Sequence, residues 1–221
     1  MRKIFTTKVK KIVLLIAIYT LSVAIAYGTA TFYPNKFVID RMNKDNENKM
    51  IAEWNKFGFQ EPAMEYSNSK QFIEAVARCV DFINLGIEVE KRVPRDIIIA
   101  MAVLETGYGN SRFAHEANNL FGIRTWSPTT PQLKPKENPG AEWGVKKYKT
   151  KCASVKDMVD IVNRHSAYEG FRIEREQQVK SGKVDIHKLI DQLSKWSTNP
   201  EYVDLVKNRA DKIHEDLKKA K

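Results

Sequence analysis

Glu105 closes an apolar run, Ile97 to Leu104, and is followed almost at once by Gly107 and Gly109. The run reads as a helix buried on most of its surface, and the glycines predict a sharp turn just after the acid. A carboxyl in the last turn of such a helix is partly desolvated and faces the negative end of the helix dipole. Both effects raise its pKa. A glutamic acid that keeps its proton near neutrality suits general-acid work on a leaving oxygen. Asn118-Asn119 and Leu120-Phe121-Gly122 lie about one short helix further on. Paired amides hydrogen-bond acetamido groups or sugar hydroxyls, and an aromatic face covers the apolar face of a pyranose ring. Those neighbours separate Glu105 from an ordinary exposed helix-end glutamate or a partner of Arg112 or Arg124.

The run Glu105-Thr-Gly-Tyr-Gly-Asn-Ser-Arg-Phe-Ala, with Asn118-Asn-Leu-Phe-Gly122 after it, resembles the glucosaminidases of glycoside hydrolase family 73, most closely their Bax-type branch. The resemblance extends, more weakly, from about Val93 to the C-terminus. It implies a lysozyme-like helical fold and cleavage of the β-1,4 bond after N-acetylglucosamine in peptidoglycan. It also implies roles for single residues. Glu105 is the catalytic acid. Asn199-Pro-Glu-Tyr-Val resembles the family's late Pro-x-Tyr segment, which puts Tyr202 in the active site to hold a hydroxyl or acetamide. Tyr168, in Ser166-Ala-Tyr, resembles the earlier such segment with serine in place of proline.

A second group must oppose Glu105. Glu142 is the leading candidate and Glu137 the alternate, since the family often carries a second acid in a mobile loop. The third option is attack by the substrate's own acetamido oxygen. Carboxyl groups more than about 6.5 Å apart favour inversion, and about 5 to 5.5 Å favours retention. Asn118, Asn119, Phe121, Trp126 and Tyr168 are the expected substrate-binding residues, with Trp126 as a stacking platform. His115, His165, His187 and His214 show no metal-ligand spacing, so neither a metal nor another cofactor is expected. Cys79 and Cys152 either pair, as an exported chain permits, or lie buried apart.

These groups are set in a chain of 221 residues that is 43% hydrophobic and 29% charged, enough for one medium domain and an appendage. Half of the +10 net charge comes from Arg2, Lys3, Lys8, Lys10 and Lys11, ahead of any acid. The remainder is only moderately basic, which suits an anionic polymer but not nucleic acid, for which no motif exists either. Ile12 to Tyr33 contains no charge, and at helical rise it spans about 33 Å against a hydrocarbon layer of ~30 Å. Residues 1–33 therefore read as a basic cytoplasmic tip and a transmembrane anchor, the N-terminus inside and the remainder exported. A cleaved signal peptide with Gly28-Thr-Ala30 as its site is the competing reading, less favoured because the apolar stretch outruns a usual h-region.

Residues 34–68 read as a polar stalk with one short helix, whose Trp54, Phe57 and Phe59 are candidates to pack on the body. Residues 69–221 are the expected catalytic domain, mainly α in an α+β fold. Phe72, Val76, Val80 and Ile83 form one helical face, and Pro94 opens the helix that carries Glu105. Four of the eight prolines fall between residues 126 and 140, which excludes helix there. With the alternating stretch after Glu142, residues 121–150 predict a small hairpin or β-lobe. Ser154-x-x-Asp157 reads as the N-cap of a helix, Tyr168 to Arg172 as a joint, and helices follow through His187 to Trp196 and from Pro200 onward. The combined expectation is a membrane-tethered peptidoglycan hydrolase with glycan strands and the membrane as partners. A lytic transglycosylase and a non-catalytic glycan-binding scaffold are the alternatives.

Overall fold

The computed structural model describes residues 4–32, 36–56 and 60–219. Its contacts divide the chain into two units, Met1–Gln60 and Glu61–Lys221. The first holds α1 (Ile4–Phe32) and α2 (Lys36–Lys56). Within α1, Val9–Tyr27 is long and apolar enough to cross a membrane, and its large apolar side chains are exposed. A membrane anchor and a signal sequence share that length and composition. α2 runs for 21 residues, longer than the short helix expected of a stalk. No glycine or proline interrupts it, and its lysines, glutamates and methionines are good helix formers despite their polarity. The expected packing of Trp54, Phe57 and Phe59 lies outside what is described.

The second unit begins earlier than residue 69, because Met64 and Tyr66 pack against its core and the Tyr66 ring meets Phe72 edge-on at 4.9 Å. Asn68 then caps α3 (Ser69–Asn84) by accepting the Gln71 N–H at 2.9 Å. The helix buries Phe72, Val76 and Val80, the face the spacing predicts. α4 (Arg95–Thr106) is apolar all round, and Ile97, Ile98, Ile99, Ala100, Met101 and Ala102 are wholly buried. A helix of that kind has to lie inside the domain, and α4 packs between α3 and α9 (Tyr202–Lys219). α9 is further tied by a hydrogen bond between His214 and Asp96 at the start of α4 and by an ion pair of Lys207 with Asp191 on α8 (Ile186–Asp191).

After the short α5 (Arg112–Glu116) come β1 (Arg124–Thr125), β2 (Gln132–Leu133) and β3 (Gly144–Lys146), joined antiparallel in the order β1-β3-β2. The expected β-lobe is therefore a three-stranded sheet, and the strand anticipated from Glu142 onward shortens to three residues. α6 (Lys151–Arg164) starts ahead of the expected cap. Thr150 caps it by accepting the Ala153 N–H at 3.0 Å, and Ser154 and Asp157 fall inside the helix. Their side chains turn elsewhere: Ser154 Oγ accepts from Leu120 N–H at 3.3 Å, and Asp157 accepts from both Lys146 and Tyr148 at 2.6 Å. The expected joint at Tyr168 to Arg172 is mostly helix, since α7 (Glu169–Ser181) begins directly after a 3-10 turn, Ser166–Tyr168.

A disulfide joins Cys79 on α3 to Cys152 at the start of α6, which decides the question the two thiols left open. It closes a loop with a sequence separation of 73 residues, so its main effect is to restrict the unfolded chain. The double variant Cys79→Ser/Cys152→Ser should lose about 2–4 kcal/mol of stability. The check is the midpoint of denaturant unfolding for the oxidised protein and the variant, and equal midpoints would refute it.

Candidate active site

Glu105 occupies the last turn of α4, and the helix ends at Gly107 in the left-handed conformation. The turn that follows is unusual, since Gly107, Tyr108 and Gly109 all have positive φ. Tyr108 accepts that strain while its hydroxyl receives a hydrogen bond from Arg209 on α9 at 2.8 Å. Gly109 has no alternative residue, because a Cβ there would collide with the Tyr66 phenol and the Phe72 ring. Buried Thr106 completes the turn. Its hydroxyl donates to Ala102 O at 2.6 Å and accepts the Gly109 N–H at 2.8 Å.

The Glu105 carboxylate, half-buried, lies beside the backbone of Gly122, where an added Cβ would stand 3.7 Å from Oε2. Burial pushes the Glu105 pKa up, and the phenol of Tyr202 draws it part of the way back. Tyr202 is the first residue of α9 and is only 5% exposed. Its own pKa is raised, first by burial and then by the neighbouring Glu105 and Tyr168. Its hydroxyl is fully buried and completes no well-formed hydrogen bond among the described residues. The Glu105 carboxylate is the acceptor beside it, close enough for the phenol to lower the carboxyl's pKa.

Asn119, expected among the substrate-binding residues, has its side chain inside the protein. It is 0% exposed, its Nδ2 donates to Ile123 O and Lys146 O at 2.9 Å each, and its Oδ1 accepts from Phe121 N–H and Ile123 N–H at 3.1 and 3.2 Å. Three of its four hydrogen-bonding positions are spent on the loop that presents Gly122 to Glu105, and the fourth ties that loop to β3. Asn118 spends its Nδ2 on Tyr148 O at 3.1 Å and Lys149 O at 3.2 Å, and its backbone is left-handed. Phe121 is buried as well, so it is a wall of the core and not an exposed platform. The motif spacing that drew attention to these residues is real, but its physical content is a loop scaffold.

Phe121 packs edge-on against Trp196, ring centroids 6.4 Å apart, and Trp196 lies 5.8 Å from Tyr168. Tyr168 is also one of the neighbours that raise the Tyr202 pKa. Burial raises the Tyr168 pKa to about 12. The 3-10 turn that places Tyr168 forms without the family's proline, because His165 Nδ1 accepts the Ala167 N–H at 3.1 Å and caps it. Sequence reasoning missed Trp196. A tryptophan six residues before Tyr202, between a helix and Asn199-Pro200, was the available signal.

The β-lobe carries the remaining candidates. Trp126 is 64% exposed just beyond β1. Trp143 is half-buried beneath the Arg124 guanidinium, 4.0 Å from its ring centroid. Glu142 and Glu137 are both exposed on the loop between β2 and β3. The fold thus gathers Glu105, Gly122, Tyr168, Trp196 and Tyr202 in one place and keeps Glu142 and Trp126 on the lobe. Among the described residues no group of three or more His, Cys, Asp or Glu side chains converges to hold a metal ion.

Known proteins resemble the chain. Protein bax of Escherichia coli (strain K12) is 31% identical over 107 residues, a match that covers 48% of this chain and 37% of that relative's length. The glycoside hydrolase domain of Salmonella typhimurium FlgJ superposes with a TM-score of 0.51 at 16% identity, over 70% of this chain and 93% of that one. The catalytic domain of the autolysin Auto from Listeria monocytogenes gives 0.50 at 15% identity, over 75% and 96%. At these identities the solved structures speak for the fold alone. The family model described as glucosaminidase, mannosyl-glycoprotein endo-beta-N-acetylglucosaminidase, matches residues 85–215, which contain α4, the β-lobe and Tyr202. With well over half its length inside that match, and with Glu105 set in a dry turn against a buried phenol, the chain belongs to the glucosaminidase family of glycoside hydrolases.

Proposed function

We propose that the chain is a membrane-tethered peptidoglycan hydrolase that cleaves the β-1,4 bond after N-acetylglucosamine. The observation that carries this reading is the half-buried Glu105 carboxyl standing beside the buried phenol of Tyr202, each shifting the ionisation of the other. In the reaction, Glu105 gives its proton to the glycosidic oxygen, the C1–O bond breaks, and the leaving sugar departs with a free hydroxyl. The oxocarbenium ion that develops is met by a nucleophile on the opposite face of the ring. Glu142 supplies it, directly or by activating a water; alternatively the acetamido oxygen of the substrate closes on C1 and water reopens the ring. Tyr202 holds the acetamide or hydroxyl of the sugar next to the bond being cut.

Glycan binding beyond that falls to Tyr168, Trp196, the exposed Trp126 and the half-buried Asn118, because the Asn119 amide is wholly spent on backbone groups. The apolar α1 and the disulfide fit an exported body held at the outer face of the cytoplasmic membrane. The FlgJ and Auto domains share the fold, and the glucosaminidase family match supports a glycoside as substrate.

Digestion of purified peptidoglycan by the full chain should create new N-acetylglucosamine reducing ends, read by mass spectrometry. 1,6-Anhydro ends would instead make it a lytic transglycosylase, and undigested but bound glycan would make it a scaffold. Glu105→Gln should lower kcat by about 10²–10⁴-fold. Because the acid must be protonated to act, kcat should fall as pH rises through the raised Glu105 pKa. Tyr202→Phe removes the group that lowers that pKa, so the alkaline limb of the kcat profile should move to higher pH while kcat drops about tenfold. An unmoved or acid-shifted limb would refute the coupling.

A further inference from the structure

The loop that carries Glu142 is held by one side chain. Lys134 Nζ donates to Ala141 O at 2.8 Å, to Trp143 O at 3.2 Å and to Gln132 Oε1 at 3.3 Å. Ala141 and Trp143 are the residues immediately before and after Glu142, so a single ammonium group fixes the backbone on both sides of that acid. The far ends of this brace are anchored too. Gln132 Nε2 donates to Ser127 O at 3.0 Å, next to Trp126. Arg112 on α5 donates through Nη1 to Lys134 O at 3.1 Å and pairs through Nε with Glu116 at 3.1 Å.

The chemistry of this position is particular to lysine. Its three acceptors are neutral oxygens that surround the nitrogen, and an ammonium offers three divergent donors to meet them. A carboxamide has only two, and a guanidinium holds its donors in one plane. Withdrawing a lysine from water to serve three neutral acceptors costs side-chain entropy and hydration. The return is order in a loop that carries two prolines, Pro135 and Pro139, and no regular secondary structure. Outside the brace that loop is exposed from Lys136 to Gly140.

We infer that Lys134 is a positioning residue that sets the Glu142 carboxylate against the bond protonated by Glu105, by clamping the carbonyls on either side of it. The inference rests on the role proposed above for Glu142. Displacement of a reacting group by about 1 Å costs up to about a hundredfold in rate, so a lysine with no contact to substrate has a large lever on kcat.

The test is a double-mutant cycle in the full chain, with kcat and KM measured on purified peptidoglycan. Lys134→Met should lower kcat by about ten- to a hundredfold with KM nearly unchanged. In a Glu142→Gln background the same change should cost nothing further, because the group it positions is already gone. Lys136→Met, which removes an exposed charge from the same loop, is expected to keep wild-type kcat. If Lys134→Met melts more than about 10 °C below the parent, Lys134→Gln, which retains two donors, replaces it in the cycle with an expected loss of about threefold. Equal fractional losses in the two backgrounds, wild-type kcat without Lys134, or the same loss from Lys136→Met would overturn the inference while leaving Glu142 in place. Wild-type kcat in Glu142→Gln alone would instead sink the assignment of Glu142, and the inference with it.

Discussion

The last turn of α4 has to dispose of backbone carbonyls in a place with little water, and the chain does so with three successive left-handed residues. Val103 O is taken by Gly107 N–H at 2.9 Å, Ala102 O by the Thr106 hydroxyl, and Thr106 O by Ser111 N–H at 2.9 Å. Because those carbonyls are satisfied from within, the helix stops in a fixed turn in which Thr106 and Gly109 are buried although Gly107 meets solvent. Glu105 inherits the consequence. It stands at the negative end of a buried helix, partly dehydrated, and holds its proton more tightly than a surface glutamate would. The close approach of Tyr66 to Gly109, through a bond of 3.1 Å to the Gly109 carbonyl, fixes the turn from outside.

A second constraint meets the first at Gly122. The segment from Ala117 to Ile123 has almost no regular structure, yet it is buried, so its polar groups need partners. Asn119 supplies four bonds, Lys146 N–H reaches Ile123 O at 2.9 Å, and Tyr148 N–H reaches Ala117 O at 2.9 Å. These contacts zip the loop to β3 and the residues after it. Asp157 then joins Lys146 and Tyr148 to α6, and the disulfide joins the start of α6 back to α3. The acid, the loop beside it and the β-lobe are thereby one connected body. Within it, the buried Tyr202 hydroxyl faces the acid, which raises the phenol's pKa while the phenol lowers that of the acid.

The elements near Glu105 were legible because their signals are local. An apolar run, an acid and two glycines specify a buried helix and a left-handed stop whatever the rest of the chain does, and the amphipathic face of α3 is equally plain. The start of α6 was misread for a related reason. Ser154 and Asp157 have the right types for a cap, but their side chains are claimed by Leu120, Lys146 and Tyr148, residues remote in sequence, and Thr150 caps the helix instead. α2 was underestimated because polarity was taken for a linker, although helix propensity does not depend on burial.

Residue types and spacing alone determined the buried helix that ends at Glu105, the mainly helical class with its small β-lobe and the apolar N-terminal helix, because each is written within a few helical turns of chain, whereas Tyr202 was singled out by the resemblance to a known family. Only the tertiary structure decided what the asparagines do. An amide in sequence is a donor and an acceptor in waiting, and whether a sugar or the protein's own backbone takes it depends on what folding brings alongside. For Asn119 that is Lys146, 27 residues away. The same holds for Trp196, whose partners Phe121 and Tyr168 lie on other segments, and for Lys134, whose acceptors exist only once the loop has closed around it. Hydrogen bonds and ring contacts act over a few ångströms, and only the fold converts distance along the chain into distance in space.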